Sequence, residues 1–237
     1  MPVRAIRLFF AAGLTRDQLY KNAKGLNATF NCINHYDALE QKGLYVYGVD
    51  FPLDLYKYGV QQRLEDMVNA TTLKVHVLML DYARTGLDAS YAGLEFAKRL
   101  RVLRQDVTVL RVYVRSPKEK PAESILIQLL ASLIWNMITL VPDSFRPVGN
   151  LARRSFKAFM NGGPDCFEMG VKLLTALPRL DTKGRKLIFI VDGIEHAESE
   201  KTLDQVGYFV RTLRNTVASN CGQLLFTLNR KSNVIIE

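Results

Sequence analysis

RKLIFIVDGIEHAES, residues 185 to 199, is the stretch that decides the fold. Its first half is an apolar, β-branched run that ends at Asp192, which predicts a buried strand over 186–191. Gly193 follows directly, and an Asp-Gly pair favours a tight turn. A polar turn after a buried apolar strand is typical of the carboxyl end of a strand in a parallel sheet.

Similar apolar runs recur along the chain, and longer helical patterns separate them. The four predicted strands are 74–80, 107–114, 186–191 and 222–228. Pro121 opens a long apolar helix after the second strand, and Asp165 with Glu168 forms a capping-box pattern before another helix. Strands that alternate with helices indicate βαβ units, so the sequence predicts an α/β protein with a mostly parallel sheet.

The N-terminal part lacks this alternation. It contains a predicted helix after Thr15, with Gln18 as the capping-box partner. A polar break at Asn69–Thr72 precedes the first apolar strand. We therefore interpret residues 1–72 as an accessory or lead-in segment and residues 73–237 as the α/β core.

The sheet predicted for the core has four strands, and a fifth is expected for the fold class suggested below. Two short runs of the N-terminal segment, Ala5–Phe10 and Leu44–Tyr47, are candidates to complete it. The alternative is that the sequence is a fragment of a longer protein.

Composition excludes several classes of protein. Of 237 residues 48% are hydrophobic, which supports a substantial core and excludes general disorder. The three cysteines are far apart and odd in number, which argues against a disulfide framework or a zinc site and favours the cytoplasm. The apolar stretch Ile125–Val141 is short and contains polar residues, so it predicts a buried helix and no transmembrane segment.

The net charge of +9 is concentrated in Lys98–Lys120, which holds eight basic residues and two acidic ones. Such a run suits phosphate, acidic lipid or an acidic partner. The alternation in VTVLRVYVR also predicts a strand with one wetter face, and charge runs are usually solvated. Binding of nucleic acid, with Tyr113 as a stacking residue, is therefore an alternative that is not favoured.

Chemistry is indicated where the central strand ends. In P-loop NTPases an acid at the carboxyl end of a buried strand helps to hold Mg²⁺, and a nearby glutamate can polarise the attacking water. On that pattern Asp192 is the candidate magnesium ligand and Glu195 the candidate catalytic base. We expect Asp192 to be partly exposed and to have no obligatory charge partner. An ordinary polar turn after a strand explains the same residues.

The next strand ends in Thr227, Asn229 and Arg230, polar residues that suit a sensor facing a γ-phosphate. With Asp192 to Glu195, a helix and this strand, the chain resembles the STAND class of P-loop NTPases, in particular the NACHT-like signalling proteins abundant in fungi. The resemblance covers about residues 74–232 and is specific in its last third. It implies a three-layer P-loop NTPase-like fold, a nucleotide-controlled switch, and protein partners or self-association.

This resemblance requires a phosphate-binding loop after the first core strand. The pattern G-x-x-x-x-G-K-[ST] places its glycines at Asp81 and Gly86, its lysine at Leu87 and its hydroxyl at Asp88, so only Gly86 matches. Leu87 cannot neutralise phosphate, and the two aspartates add negative charge. We expect a degenerate site, with Gly86 and Asp192 at one sheet edge and their strands adjacent or nearly so.

Other residues of the loop carry two readings. Arg84 is a candidate compensating cation, and Thr85 and Gly86 are candidate phosphate contacts together with Asn229 and Arg230. The simpler interpretation is that the loop only makes a strand-to-helix turn and caps the helix.

Three functions are therefore in competition. The favoured one is a degenerate, STAND-related regulatory or scaffold module with weak or no nucleotide hydrolysis. The second is a functional switch ATPase that uses ATP or GTP with Mg²⁺. The third is a basic module that binds nucleic acid or an anionic surface.

Overall fold

The computed structural model describes residues 13–30, 32, 60–72, 75–79, 88–113, 120–147 and 149–235. The strands predicted at Ala5–Phe10 and Leu44–Tyr47 lie outside these residues. So do Arg84, Thr85 and Gly86 of the candidate phosphate loop.

Helices and strands alternate through the described part of the chain. Its helices are Arg16–Phe30 (α1), Val60–Asn69 (α2), Asp88–Leu103 (α3), Ala122–Ile138 (α4), Arg153–Met160 (α5), Cys166–Ala176 (α6) and Leu203–Ser219 (α7). Its strands are Leu14–Thr15 (β1), Val75–Met79 (β2), Val107–Tyr113 (β3), Ser144–Phe145 (β4), Lys186–Asp192 (β5) and Gln223–Leu228 (β6). The four predicted core strands are confirmed to within one residue at each end.

The main sheet has four strands in the order β2-β6-β5-β3, and every neighbouring pair is parallel. β1 and β4 form a separate antiparallel bridge of two residues each. The prediction of an α/β protein with a mostly parallel sheet is confirmed. The first and third core strands, β2 and β5, are nearly adjacent, because only β6 lies between them.

Both faces of the sheet are covered by helices. Leu187, Phe189 and Val191 of β5 pack into a large apolar core with α1, α4, α5, α6 and α7. Ile188 and Ile190, which alternate with them, pack on the other face into a smaller core with α2 and α3. Burial on both faces explains why the run in β5 is apolar without a break.

Helix α4 is buried nearly all round in the larger core, as its sequence predicts. Its polar side chain Gln128 is buried, and its Oε1 accepts a hydrogen bond of 2.9 Å from Lys120 Nζ. None of the helices that the structure describes is both long and apolar enough to cross a membrane.

The described helices of the N-terminal segment pack into the same two cores as the rest of the chain. α1 contributes Leu19 and Leu26 to the larger core, and α2 contributes Met67 to the smaller one. The capping box of α1 is confirmed: Gln18 N–H donates to Thr15 Oγ1 at 3.2 Å, and Thr15 N–H donates to Gln18 Oε1 at 3.0 Å.

The second predicted capping box does not form, although its helix does begin at Cys166. Asp165 has φ −93° and ψ 8°, which is not the extended backbone that an N-cap residue needs. Glu168, the expected partner, instead lies 3.9 Å from Lys172 one turn along the helix.

Candidate functional site

Asp192 is the last residue of β5 and only 4% exposed. Its Oδ1 accepts hydrogen bonds from Ser90 Oγ at 2.7 Å and from Thr227 Oγ1 at 2.6 Å. The expectation of a partly exposed acid is therefore wrong. Asp192 follows Ile188 and Ile190 on the face that α3 covers, and the first turn of α3 lies over the strand end.

Ser90 joins two elements of the site. Besides donating to Asp192, its Oγ accepts a hydrogen bond of 2.7 Å from Asn229 Nδ2. Sequence reasoning missed this serine because it aligned the phosphate-loop pattern on Gly86 and put the hydroxyl at Asp88. Aligning the pattern on its hydroxyl and on the start of the helix would have found Ser90 two residues later.

Close packing of α3 on β6 brings these groups together. Gly93 of α3 sits so near β6 that a Cβ built on it would lie 2.7 Å from Thr227 Cγ2. A side chain at this position would push the helix away from the strand. Gly93 therefore sets the distance across which the hydroxyls of Ser90 and Thr227 reach the same carboxylate oxygen.

Glu195 lies on a short 3₁₀ turn, Ile194–Ala197, and is fully buried. Gly193 reverses the chain before it with φ 77°, a left-handed conformation that favours glycine. Glu195 Oε1 accepts a hydrogen bond of 2.8 Å from the Asn229 N–H, and Arg230 Nη2 donates to the Glu195 carbonyl oxygen at 2.7 Å. The predicted residues Glu195, Asn229 and Arg230 are thus brought together with Asp192.

Burial controls the protonation of the acids. It raises the pKa of Asp192, against the charge of Arg111 and the two hydroxyl hydrogen bonds, which lower it. Burial also raises the pKa of Glu195 to about 7, although the Asn229 N–H favours the ionised form. His196, whose Nε2 lies 3.5 Å from Glu195 Oε1, has a lowered pKa because burial disfavours its charged form.

Arg111 is a second residue that sequence reasoning missed. It lies on β3 opposite Ile190, two residues before the position opposite Asp192, and is 3% exposed. Residues two apart on a strand share a face, so Arg111 and Asp192 both lie under α3. The interpretation of the basic run as a solvated surface is wrong at this position, because this arginine is the buried counter-charge of Asp192.

Two acceptors of the site have no hydrogen-bond partner in the described part of the chain: Glu195 Oε2 and Asn229 Oδ1. Both are buried, and leaving a buried acceptor unpaired costs about 1 to 3 kcal/mol. These oxygens can receive a donor or a cation at the carboxyl end of the sheet, where open α/β sheets bind their ligands.

The fit of these residues to Mg²⁺, which the resemblance implies, is partial. Carboxylate and amide oxygens are suitable ligands for the ion. The Oδ1 of Asp192, however, already accepts two hydrogen bonds, and the charge of Arg111 acts on the same carboxylate. Within the described ranges, no group of three or more His, Cys, Asp or Glu side chains is placed to hold a metal.

No protein-family model matches the chain, and neither a curated protein nor a solved structure is significantly similar to it. The candidate site therefore stands on its own geometry. The resemblance to STAND proteins stays a prediction from the sequence.

Proposed function

We propose that this chain is a STAND-related, P-loop NTPase-like domain of three layers that acts as a regulatory or scaffold module, with weak or no nucleotide hydrolysis. The observation that carries the proposal is the buried contact of Ser90 and Thr227 with Asp192. It joins the start of the helix after β2 to the ends of β5 and β6.

The topology supports a relationship to nucleotide-binding sheets. The connection after β2 leads to α3 on one face, whereas the connections after β3 and β5 lead to helices on the other face. A reversal of this kind creates a crevice at the carboxyl ends of the strands, which is where open α/β sheets bind ligands. The hydrogen-bonded residues Ser90, Asp192 and Asn229 lie at this crevice.

The absence of a phosphate-binding lysine supports weak or no hydrolysis. The motif places its lysine directly before its hydroxyl residue. If the hydroxyl is at position 88, the preceding residue is Leu87, and if it is Ser90, the preceding residue is Ala89. Ala89 is 1% exposed, and neither residue can neutralise a phosphate.

The acids are also poorly prepared for catalysis. A general base must be ionised, whereas burial raises the pKa of Glu195 to about 7 and holds much of it protonated at neutral pH. Its Oε1 is bonded to the Asn229 N–H, which fixes it against the end of β6. When bound, Mg²⁺ with a nucleotide would supply electrostatic stabilisation of the transferred phosphoryl group. In this chain Arg111 already supplies positive charge to Asp192.

One observation favours the second function, a working switch ATPase. The Ser90 hydroxyl donates to Asp192, and in P-loop NTPases a hydroxyl and an acid of these two elements share one Mg²⁺. Arg84 is the candidate cation for that function. No comparable observation favours the nucleic-acid module, because Arg99 and Arg104 pair with Glu95 and Asp106.

Thermal unfolding with and without Mg²⁺-ATP and Mg²⁺-GTP separates the two functions. The parent and the variants Ser90→Ala and Asp192→Asn should show the same melting temperature with and without nucleotide, because binding to the folded state alone raises it. Ser132→Ala is the matched control, since Ser132 is 5% exposed on α4 across the sheet. A nucleotide-induced rise in the parent and the control, lost in Ser90→Ala, would establish the switch instead.

A further inference from the structure

A groove of about 490 Å³ lies at the amino end of the sheet, away from the candidate site. It runs beside β3, an edge strand of the four-stranded sheet that the structure describes. Its lining residues are Arg101, Arg104, Gln105, Val107, Thr108, Val109 and Arg185. The groove therefore combines a strand edge with three arginines.

The direction of the backbone groups of β3 follows from one contact. The Lys186 N–H donates to the Asp106 carbonyl oxygen at 2.8 Å, so the carbonyl of residue 106 points toward β5. Backbone groups alternate in direction along a strand, so those of even-numbered residues face β5. The N–H and C=O of Val109 therefore point to the open edge beside the groove.

Charge at the groove is positive. Arg104 is held by Asp106 through two hydrogen bonds of 2.8 Å, so this pair is nearly neutral. Arg101 and Arg185 provide the remaining positive charge, and Arg185 uses its Nε to bond the Thr182 carbonyl oxygen. The charge favours an acidic partner and opposes a second copy of this edge, which would bring arginines against arginines.

Two apolar side chains beside the groove are unusually exposed. Val102 is 77% exposed and Leu103 is 73% exposed, at the end of α3 between Arg101 and Arg104. An apolar residue of a partner that packs on them would gain about 25 cal/mol for each Å² of apolar surface buried.

We propose that the edge of β3 binds an extended acidic segment of a partner protein, which adds to the sheet as a further strand. A peptide backbone offers alternating N–H and C=O groups that match those of an edge strand. A nucleic-acid backbone offers acceptors to the N–H groups and leaves the outward C=O groups unpaired. The edge itself therefore selects peptide over nucleic acid, and the arginines select acidic side chains.

This docking site is independent of the proposed function, because it lies at the other end of the strands and needs no nucleotide. Binding can be measured by fluorescence polarisation with a labelled peptide that alternates Glu with Val. The comparison peptides alternate Lys with Val, or carry Pro in place of every second Val so that they cannot form a strand. Labelled oligouridylate tests nucleic acid. All measurements omit nucleotide.

Two kinds of variant test the two parts of the site. Arg101→Glu with Arg185→Glu should weaken binding of the acidic peptide by about tenfold or more, with the matched control Arg153→Glu with Arg154→Glu on α5 leaving it unchanged. Val109→Pro removes an outward N–H and should abolish binding while the protein stays folded. Thr108→Pro removes an N–H that β5 uses, so it should lower the melting temperature more than Val109→Pro does.

The outcomes decide the proposal. Binding of the acidic peptide that is lost both on charge reversal and in Val109→Pro supports it. Binding that survives Val109→Pro refutes strand addition, and absence of binding by the acidic peptide refutes the site. Tighter binding of oligouridylate than of the peptide, or self-association that Val109→Pro abolishes, identifies a different occupant and also overturns the proposal.

Discussion

The two ends of the parallel sheet carry charge in opposite ways. At the carboxyl end, Asp192 and Glu195 are buried and hydrogen bonded to neighbouring elements. At the amino end, the arginines line an open groove, and the pair Arg104–Asp106 is largely exposed. Buried charges must be compensated inside the fold, whereas exposed charges interact weakly with one another and stay available to a partner. Structure and recognition are thereby separated along the same strands.

The largest effect is expected between the two ends. Phe189 lies in the middle of β5 and is 1% exposed in the larger core. Phe189→Ala should lower the free energy of unfolding by about 3 to 5 kcal/mol, because it removes buried apolar contacts and leaves a cavity. Urea denaturation measures the change, with the half-exposed Tyr208→Ala as control. Equal losses in the two variants would mean that the core is not organised around β5.

The carboxyl end should depend on compensation of buried charge. Asp192→Ala leaves Arg111 buried without its counter-charge and should cost about 3 to 5 kcal/mol. Replacing both residues, with Arg111→Met added, should recover part of this loss because the unpaired charge is removed. A double-mutant cycle by urea denaturation gives the coupling free energy. Additive effects of the two substitutions would show that Arg111 does not compensate Asp192.

Close packing at the same end gives a smaller effect. Gly93→Ala should destabilise by about 1 to 3 kcal/mol, because its Cβ would meet Thr227 Cγ2 at 2.7 Å. Gly207→Ala in α7 is the matched control, since the nearest atoms there are at 3.5 and 4.0 Å. The control should gain up to about 1 kcal/mol from the better helix propensity of alanine. A stabilising effect at both positions would contradict the tight contact of α3 with β6.

The smallest effect is the pH dependence from Glu195. Its pKa is raised from 4.5 to about 7 in the folded state, so the folded protein binds more protons than the unfolded chain between these values. The free energy of unfolding should therefore fall as pH rises through this window, by at most about 1.4 kcal/mol per pH unit. Glu195→Gln removes the contribution of this group.

Urea denaturation of the parent and Glu195→Gln at several pH values isolates the effect, because His196 and Asp192 titrate in both proteins. The difference in stability between the two should depend on pH only within the window. A difference that is constant with pH would place the pKa of Glu195 near its ordinary value. No comparable dependence is expected at the amino end, where the carboxyl of Asp106 has its pKa lowered to about 2 by Arg104.

Local patterns along the chain predicted much of the fold. The bounds of β5 follow from an apolar run that ends in Asp-Gly, and the capping box of Thr15 and Gln18 needs only residues three apart. The same locality placed Asp192 and Glu195 at a strand end. It failed at Asp165, because whether a capping residue adopts the extended backbone depends on the loop before it.

The sequence by itself determined the parallel α/β class and the strand end that carries the acids, since both depend on periodicity and on neighbouring residues. Only the tertiary structure decided that Asp192 is buried, that Ser90 and Thr227 bond to it, and that Arg111 lies on its face. These contacts join residues far apart in the chain. Strand order, register and the approach of α3 at Gly93 set them, and no local pattern encodes those quantities.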